Sequence, residues 1–186
     1  MAIGGYALKR RTILDAVGSR SNLSVLDLGC GTGISSQWVS CRSYVGIDLD
    51  PSYLERAKLH NRNDRLFILG CAQNVATLMR GRKFDIILMF GIMHHLKPVE
   101  CAPLLRDLAS LLNDGGELIG MEPSFFLGQS WLTKRITQMD RGKNIMHQVE
   151  WERLLSEHFH RIDVCVASNL LRIPYGLFVY RVSANK

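Results

Sequence analysis

Short apolar runs alternate with helically spaced apolar residues along this chain, and the alternation predicts an α/β fold. The runs predict seven strands, at 24–28, 44–48, 65–69, 84–90, 117–121, 162–167 and 177–182. The spacing between the runs predicts helices at 6–17, 33–39, 51–60, 74–79, 98–112 and 151–159. The run at 84–90 is interrupted only by Asp85, which is typical of a strand buried on both faces. The pattern therefore predicts a doubly wound, mostly parallel sheet covered by helices.

Polar and glycine residues mark where these elements begin and end. Asp50 before Pro51 predicts a helix N-terminus, because the carboxylate caps free N–H groups and proline presets φ. The sequence Asn-Asp-Gly-Gly at 113–116 ends the long helix before it and leads into the fifth strand. After Glu122 the pattern loosens, and apolar side chains mix with basic ones over 123–148. We interpret this segment as a helical lid, within a single domain over 1–186.

The turn after the first strand has glycine at every second position, in Val-Leu-Asp-Leu-Gly-Cys-Gly-Thr-Gly at 25–33. Glycine permits φ values that side chains resist, and it lets a ligand approach the backbone closely. A dinucleotide fingerprint would need a glycine where Ile34 stands, and no Lys-Ser/Thr pair follows as in a phosphate loop. The next strand ends in Asp48, whose carboxylate can accept both ribose hydroxyls. These residues predict a nucleoside ligand without phosphates.

The segments Asp-Leu-Gly-Cys-Gly-Thr-Gly at 27–33 and Gly-Ile-Asp at 46–48 resemble the class I S-adenosylmethionine-dependent methyltransferases. The resemblance covers the chain from about 25 to 118 by motif, and the rest by element order. It implies S-adenosylmethionine as the cofactor, S-adenosylhomocysteine as its product, no metal, and a Rossmann-like methyltransferase fold. In that fold the seven-stranded sheet closes with a β-hairpin, so the last strand is expected to be antiparallel.

The resemblance places the cofactor contacts at the carboxyl ends of the strands. It implies that Asp27 orients the turn and reaches the methionine ammonium group, and that Asp48 binds the ribose. The other implied contacts are Gly29, Cys30, Gly31, Gly33, Leu49, Cys71, Ala72 and Phe90. Family members frequently carry an adenine-binding acid where Cys71 stands, and cysteine is a poor acceptor. Backbone atoms of 71–72 or the side chain of Gln73 would have to replace it.

Two histidines follow the fourth strand, where the methionine part of the cofactor and the acceptor are expected to meet. A histidine there can deprotonate a hydroxyl at neutral pH, and both His94 and His95 are candidates, with His94 slightly preferred. Alternatively, one histidine caps a helix and the other packs. Methyl transfer depends mainly on in-line positioning of the acceptor, so a base is not essential.

The acceptor-binding residues are expected on the fifth strand end, the lid and the final hairpin. The candidates are Glu122, Trp131, Arg141 and Tyr175, with His147 and Arg172 as further ones. Trp131 is expected to wall the pocket together with Phe125 and Phe126, or else to pack within the lid.

The charge, the cysteines and the lengths of the apolar runs indicate which classes of protein this chain does not resemble. The net charge is +6, but the only basic run is Lys9-Arg10-Arg11, which we interpret as a solvated helix face. The five cysteines are scattered without a CxxC pair, which disfavours a zinc site or a disulfide framework and favours a cytoplasmic protein. No apolar run is long enough for a membrane span, and the N-terminus lacks the apolar block of a signal peptide.

These observations predict a methyltransferase for a small-molecule acceptor, with the acceptor atom and the oligomeric state open. The apolar and basic mixture of the lid suits a modest, anionic ligand. The chain lacks the Asn/Asp-Pro-Pro-aromatic run of enzymes that methylate bases, which disfavours a nucleic-acid partner. Two alternatives remain: an RNA or protein methyltransferase that uses the basic surface, and a non-catalytic S-adenosylmethionine-binding partner subunit.

Overall fold

A seven-stranded sheet forms the centre of the computed structural model, which describes residues 5–62, 64–168 and 173–184. Its strands are β1 Leu23–Leu28, β2 Cys41–Asp48, β3 Arg65–Leu69, β4 Phe84–Phe90, β5 Leu112–Pro123, β6 Arg161–Ala167 and β7 Leu177–Ser183. Their order is β3-β2-β1-β4-β5-β7-β6. β7 is antiparallel to both β5 and β6, and the other neighbouring pairs are parallel. The predicted sheet, with its antiparallel last strand, is confirmed.

Helices cover both faces of this sheet. Within the described residues the α-helices are α1 Gly5–Val17, α2 Pro51–His60, α3 Val75–Leu78, α4 Pro98–Leu111, α5 Trp131–Gln138 and α6 Gln148–Ser156. Short 3₁₀ turns span Ile34–Gln37, Ala72–Asn74 and Met93–His95. α2 begins as predicted, because Asp50 Oδ1 accepts from the Ser52 N–H at 2.9 Å and Pro51 occupies the first helical position.

Successive residues of the central strands face opposite helical layers. Leu26, Leu28, Ile87 and Met89 pack in one hydrophobic cluster with Leu104, Leu105 and Leu108 of α4 and with Trp151 and Leu155 of α6. Val25, Ile86 and Leu88 pack in the other with Ile13 and Val17 of α1 and with Leu54 and Ala57 of α2. Burial on both faces explains why β4 has a continuous apolar run rather than an alternating one.

The segment after the glycine turn differs from the prediction. A helix was expected over 33–39, but the chain forms a single 3₁₀ turn at Ile34–Gln37. Gly33 enters that turn with a left-handed φ of 72°, and β2 already begins at Cys41, three residues before its predicted start. Too little chain remains between the two strands for a full helix.

β5 also begins earlier than predicted, at Leu112 instead of 117. Leu112 pairs with Phe84 and Glu117 pairs with Ile86, so the intervening 113–116 bulge out of the ladder. Asn113 Nδ2 donates to Asp85 Oδ1 at 2.6 Å, which ties the bulge to β4. The Asn-Asp-Gly-Gly sequence therefore forms a bulge within β5, whereas a turn before the strand was expected.

The strand order places a crevice at the carboxyl ends of β1 and β4. From β1 the chain winds outward through β2 and β3, then returns to add β4 on the other side of β1. Ligands of doubly wound sheets bind where the winding reverses in this way. No helix in the described part of the chain is long and apolar enough to cross a bilayer.

Candidate functional site

The glycine turn after β1 leaves its backbone exposed to a ligand. Gly31 has a φ of +56°, and a Cβ built on it would meet nothing within 4 Å. Gly29 is close to the loop after β4, because a Cβ there would lie 2.3 Å from Cδ1 of Ile92. The turn therefore has one open face and one face packed against the loop that carries both histidines.

Asp48 is held at the edge of that open face. Its Oδ2 accepts from the Gly31 N–H at 2.8 Å, and its Oδ1 accepts from the Asp50 N–H at 3.0 Å. Each carboxylate oxygen has two acceptor sites, so both oxygens retain capacity for a ligand. The parallel pairing of β1 with β2 brings this carboxylate to the turn across 17 positions of sequence.

Asp27 presents an unusual buried carboxylate below the turn. It is fully buried, and Oδ2 accepts from the Tyr44 hydroxyl at 2.6 Å. Its other oxygen, Oδ1, is buried without a hydrogen-bond partner among the described residues. An unsatisfied buried acceptor is costly, so this oxygen fits a donor supplied by a ligand. An amino group is such a donor.

Lys9 is buried beside the cavity residue Phe90, which differs from the expectation for its basic run. The Lys9-Arg10-Arg11 run was interpreted as a solvated helix face, but Lys9 is buried whereas Arg10 and Arg11 are exposed. Its Nζ lies over the Phe90 ring, 4.8 Å from the centroid. The spacing contained the signal, because Lys9 precedes the buried Ile13 by four residues and so shares its helix face.

The remaining residues expected to contact the cofactor, Cys30, Leu49 and Cys71, differ in their exposure. The Cys30 thiol points inward, since a Cβ on Gly46 would lie 2.8 Å from its Sγ, and burial raises its pKa. Only the backbone of Cys30 is thus available to a ligand. Leu49 is exposed, and the half-buried Cys71 contacts the side-chain oxygen of Gln73.

Four side chains from separate parts of the chain form one hydrogen-bonded group, the His94 cluster: Glu122, His94, Asp140 and Tyr175. The buried Glu122 lies 2.6 Å from His94 Nδ1, and its Oε1 accepts from the N–H groups of Ile92 and Met93 at 3.0 Å. Asp140 lies 3.2 Å from His94 Nε2 and accepts from the Tyr175 hydroxyl. Both ring nitrogens of His94 therefore face carboxylates.

The cluster separates the pKa values of the two neighbouring histidines. Burial disfavours the charged form of His94, but the hydrogen bond and charge of Glu122 and the charge of Asp140 outweigh it and raise the pKa. Burial and the positive charge of His94 lower the pKa of His95. His95 is exposed, and its ring centroid lies 4.0 Å from that of His94. Because the pKa of His95 is lowered from an ordinary value that already lies below 7, the His95 ring is neutral at neutral pH.

The lid closes over His94 through its own backbone. A Cβ on Gly142 would lie 1.9 Å from Cδ2 of His94, so glycine is required for this close approach. The Gly142 N–H donates to Asp140 Oδ1 at 2.8 Å, and the Asn144 N–H donates to the His94 carbonyl at 3.1 Å. Residues 140–144 thus follow the surface of the His94 ring.

A cavity of about 750 Å³ lies between the end of β4 and the lid. Its apolar lining consists of Phe90, Met121, Pro123, Ile136, Met139, Ile173 and Leu177. Its polar lining consists of His94, His95, Asp140, Arg141 and Tyr175. The structure therefore brings together both histidine candidates and two of the four acceptor candidates.

The other acceptor candidates lie elsewhere. Trp131 does not wall the cavity: it is 77% exposed at the first turn of α5, on the outer side of the lid. Glu122 is buried beneath His94 and supports the cavity without lining it. His147 is the N-cap residue of α6, and Arg172 lies outside the described residues. A single-sequence pattern cannot tell the inner side of a short lid helix from its outer side.

Comparison with known sequences finds a match to one protein family. The model of a methyltransferase domain matches residues 25–116. The mitochondrial ubiquinone biosynthesis O-methyltransferase of Candida albicans is 36% identical over 92 residues, covering 44% of this chain and 27% of that protein. The ubiquinone biosynthesis O-methyltransferase of Pelagibacter ubique is 33% identical over 98 residues, covering 51% and 40%. The chain thus spans less than half the length of these relatives.

Solved structures share the fold over nearly the whole chain. The N-methyltransferase NodS from Bradyrhizobium japonicum, in complex with S-adenosylhomocysteine, has a TM-score of 0.75 at 13% identity, covering 100% of this chain and 89% of that one. Magnesium protoporphyrin IX methyltransferase from Synechocystis, with the same molecule bound, has a TM-score of 0.70 at 20% identity, covering 97% and 84%. At these identities the likeness shows a common fold.

Proposed function

This chain belongs to the family defined by that methyltransferase domain, and on this premise we propose that it transfers a methyl group from S-adenosylmethionine to a small-molecule acceptor. The observation that carries the proposal is the buried Oδ1 of Asp27, which no described residue hydrogen-bonds, beneath a glycine turn whose Gly31 face is open. A cationic amino group satisfies that oxygen, and the open turn accommodates a closely approaching ligand. The site residues therefore fit the cofactor.

Each part of the cofactor has a complementary group on the chain. Asp27 binds the amino group of the methionine part, and Lys9 supplies a cation over Phe90 for its carboxylate. Asp48 binds the ribose hydroxyls with its remaining acceptor sites. Gly29 and Gly33 shape the turn, and Leu49, Cys71 and Ala72 enclose the adenine. When bound, the cofactor supplies an electrophilic methyl group on a sulfonium.

His95 is the base in this proposal, and His94 is a positioning residue. His94 has no free ring nitrogen, since Glu122 and Asp140 face both of them. His95 is neutral and lines the cavity, so it can take the proton of an acceptor hydroxyl. We therefore prefer His95 as the base, whereas the sequence slightly favoured His94. The sequence pattern could not show that carboxylates surround His94, because Glu122 and Asp140 are distant from it in the chain.

A small molecule, rather than RNA or protein, suits the shape of the site. The cavity lies under residues 136–141 of the lid, and its volume of about 750 Å³ is in the range of small-ligand pockets. The relatives named above include O-methyltransferases, which agrees with a hydroxyl acceptor. We also propose a reducing compartment such as the cytoplasm, because all five cysteines are free thiols.

Calorimetric titration with S-adenosylmethionine and S-adenosylhomocysteine tests the proposed cofactor. The variant Asp48→Asn should bind both at least about tenfold more weakly, because it loses charge-assisted hydrogen bonds to the ribose. Asp50→Asn is the matched control, since it removes the same charge nearby and asparagine retains the helix cap. Absence of binding to the wild type, or equal losses in both variants, would contradict the proposal.

A further inference from the structure

Arg141 lies at the acceptor cavity between two residues that the fold fixes against His94. We propose that Arg141 binds an ionised carboxylate or phosphate of the acceptor, so that the acceptor is an apolar-bodied organic anion. This inference rests on the proposed function, because it assigns the substrate class of the same site. It goes beyond that function, because methyl transfer itself requires no anionic group on the acceptor.

The backbone on both sides of Arg141 is held in place. Before it, the Asp140 carboxylate faces His94 Nε2 at 3.2 Å and accepts from the Tyr175 hydroxyl. After it, Gly142 packs directly on the His94 ring. Asn144 adds a backbone hydrogen bond to the His94 carbonyl at 3.1 Å. The fold therefore presents Arg141 at the cavity from a rigid segment, although the side chain itself is exposed.

The charged side chains nearest Arg141 are engaged with other groups. Among the described residues it has no ion pair, whereas the neighbouring Asp140 is already paired with His94. Glu122 is likewise committed to His94 and to backbone N–H groups. The guanidinium therefore has no direct ion-pair partner in the described part of the chain, and its planar fork suits a carboxylate or a phosphate.

The remainder of the cavity is suited to hydrocarbon. Phe90 and Met121 lie at the strand ends, Ile136 and Met139 come from the lid, and Leu177 comes from β7. These side chains offer no hydrogen bonds, so a sugar or another polyhydroxylated acceptor would lose its hydration without compensation. An aromatic or aliphatic body with one acidic group matches both the walls and Arg141, with the nucleophile directed to His95.

The experiment uses protein saturated with S-adenosylhomocysteine and three probes: hydroxynaphthoate, its uncharged methyl ester, and naphthyl phosphate. Calorimetry should show that the wild type binds at least one of the anions about tenfold more tightly than the ester. Arg141→Gln should abolish that preference while it leaves ester binding unchanged. Arg135→Gln, an equal charge change at an exposed position of α5, should leave all affinities unchanged.

The outcomes separate this inference from the proposed function. If the wild type does not bind S-adenosylhomocysteine, the proposed function itself is wrong. If it does, but the ester binds as well as both anions or no probe binds, only the anionic acceptor is wrong. If Arg135→Gln and Arg141→Gln weaken anion binding equally, the effect comes from the net charge of the protein and not from a contact with Arg141. That result would also overturn the inference. The anion that the wild type binds more tightly shows whether Arg141 prefers a carboxylate or a phosphate.

Discussion

The pKa values of two adjacent histidines are shifted in opposite directions because the surroundings of the rings differ in charge. The His94 ring is enclosed by Glu122 and Asp140, which stabilise its imidazolium form against the cost of burial. The imidazolium in turn disfavours protonation of the adjacent His95 ring. Neighbouring groups whose pKa values are moved apart divide the acid and base roles of a site, which is the reason for assigning the base to His95.

Proton NMR titration of the histidine rings tests this division without an acceptor. His94 should titrate above the ordinary histidine pKa of 6.5, and His95 below it. In His94→Asn, the pKa of His95 should rise, because the neighbouring positive charge is gone. His60→Asn, at the exposed end of α2, is the control. An unchanged pKa of His95 in His94→Asn would refute the coupling.

The same shift makes stability depend on pH. The folded state holds the His94 proton more tightly than the unfolded state, so this stabilisation is present below the unfolded pKa of about 6.5. It is lost as pH rises from there through the raised folded-state pKa of His94. Denaturant unfolding of the wild type should show this loss over that interval, and His94→Asn should lack it.

At the scale of elements, the lid is attached at its first residue and at the end of α5, and it packs on His94 directly after the second attachment. Near its beginning, the Trp151 indole N–H donates to the Pro123 carbonyl at 3.3 Å, which links the lid to α6. Near the end of α5, Thr137 Oγ1 accepts from the Gly176 N–H at 2.9 Å, which links the lid to the chain before β7. The close contact between Gly142 and His94 is therefore expected to set the distance between the lid and the floor of the cavity.

Gly142→Ala should displace the lid from His94. The new Cβ would overlap the imidazole, so the pair between His94 and Asp140 must separate, at a cost of about 1–3 kcal/mol in the free energy of unfolding. Binding of hydroxynaphthoate should weaken, whereas binding of S-adenosylhomocysteine should persist. Calorimetry and denaturant unfolding measure these effects.

Gly128→Ala is the control for that prediction. Gly128 also lies in the lid, but a Cβ there would meet nothing within 4 Å. Its φ of +80° makes alanine unfavourable by about 1–2 kcal/mol without any contact to the cavity. If both variants bind hydroxynaphthoate equally well, the contact between Gly142 and His94 does not position the lid.

At the scale of the whole molecule, one ion cluster stabilises the sheet away from the ligand site. Glu117 is buried near the start of the regular part of β5, five positions and roughly 17 Å before Glu122. Its carboxylate pairs with Arg20, from the loop after α1, and with Arg181 of β7 at 2.7 Å. The ion cluster and the proposed ligand site therefore lie at different ends of the same strand.

Glu117→Gln should lower the free energy of unfolding by about 2 kcal/mol, because a buried charge-assisted hydrogen-bond acceptor is replaced by a neutral amide. The affinity for S-adenosylhomocysteine should not change. Glu55→Gln, at an exposed position of α2, should leave both quantities unchanged. Weaker cofactor binding in Glu117→Gln would show that the two ends of β5 are coupled. Denaturant unfolding and calorimetry provide the two measurements.

Local patterns were sufficient for most of the architecture. α2, β3 and β4 begin and end at the predicted residues, because apolar periodicity, the Asp50 cap and Pro51 act within a few positions. The motif at 27–33 with Asp48 also indicated the family whose model matches the chain, since the glycine turn is itself a local conformation. Predictions were less accurate at 33–39 and 113–116, where the neighbouring strand sets the space available.

The sequence by itself determined the order of strands and helices, the glycine turn and the position of Asp48, for which we propose ribose binding. The tertiary structure decided that Lys9 is buried, that Trp131 lies outside the cavity, and that His94, Glu122, Asp140 and Tyr175 meet. The physical reason is the range of the interactions. Turns, caps and periodicity depend on residues within about one helical turn, whereas pKa values and cavity walls depend on groups that only the folded chain brings together.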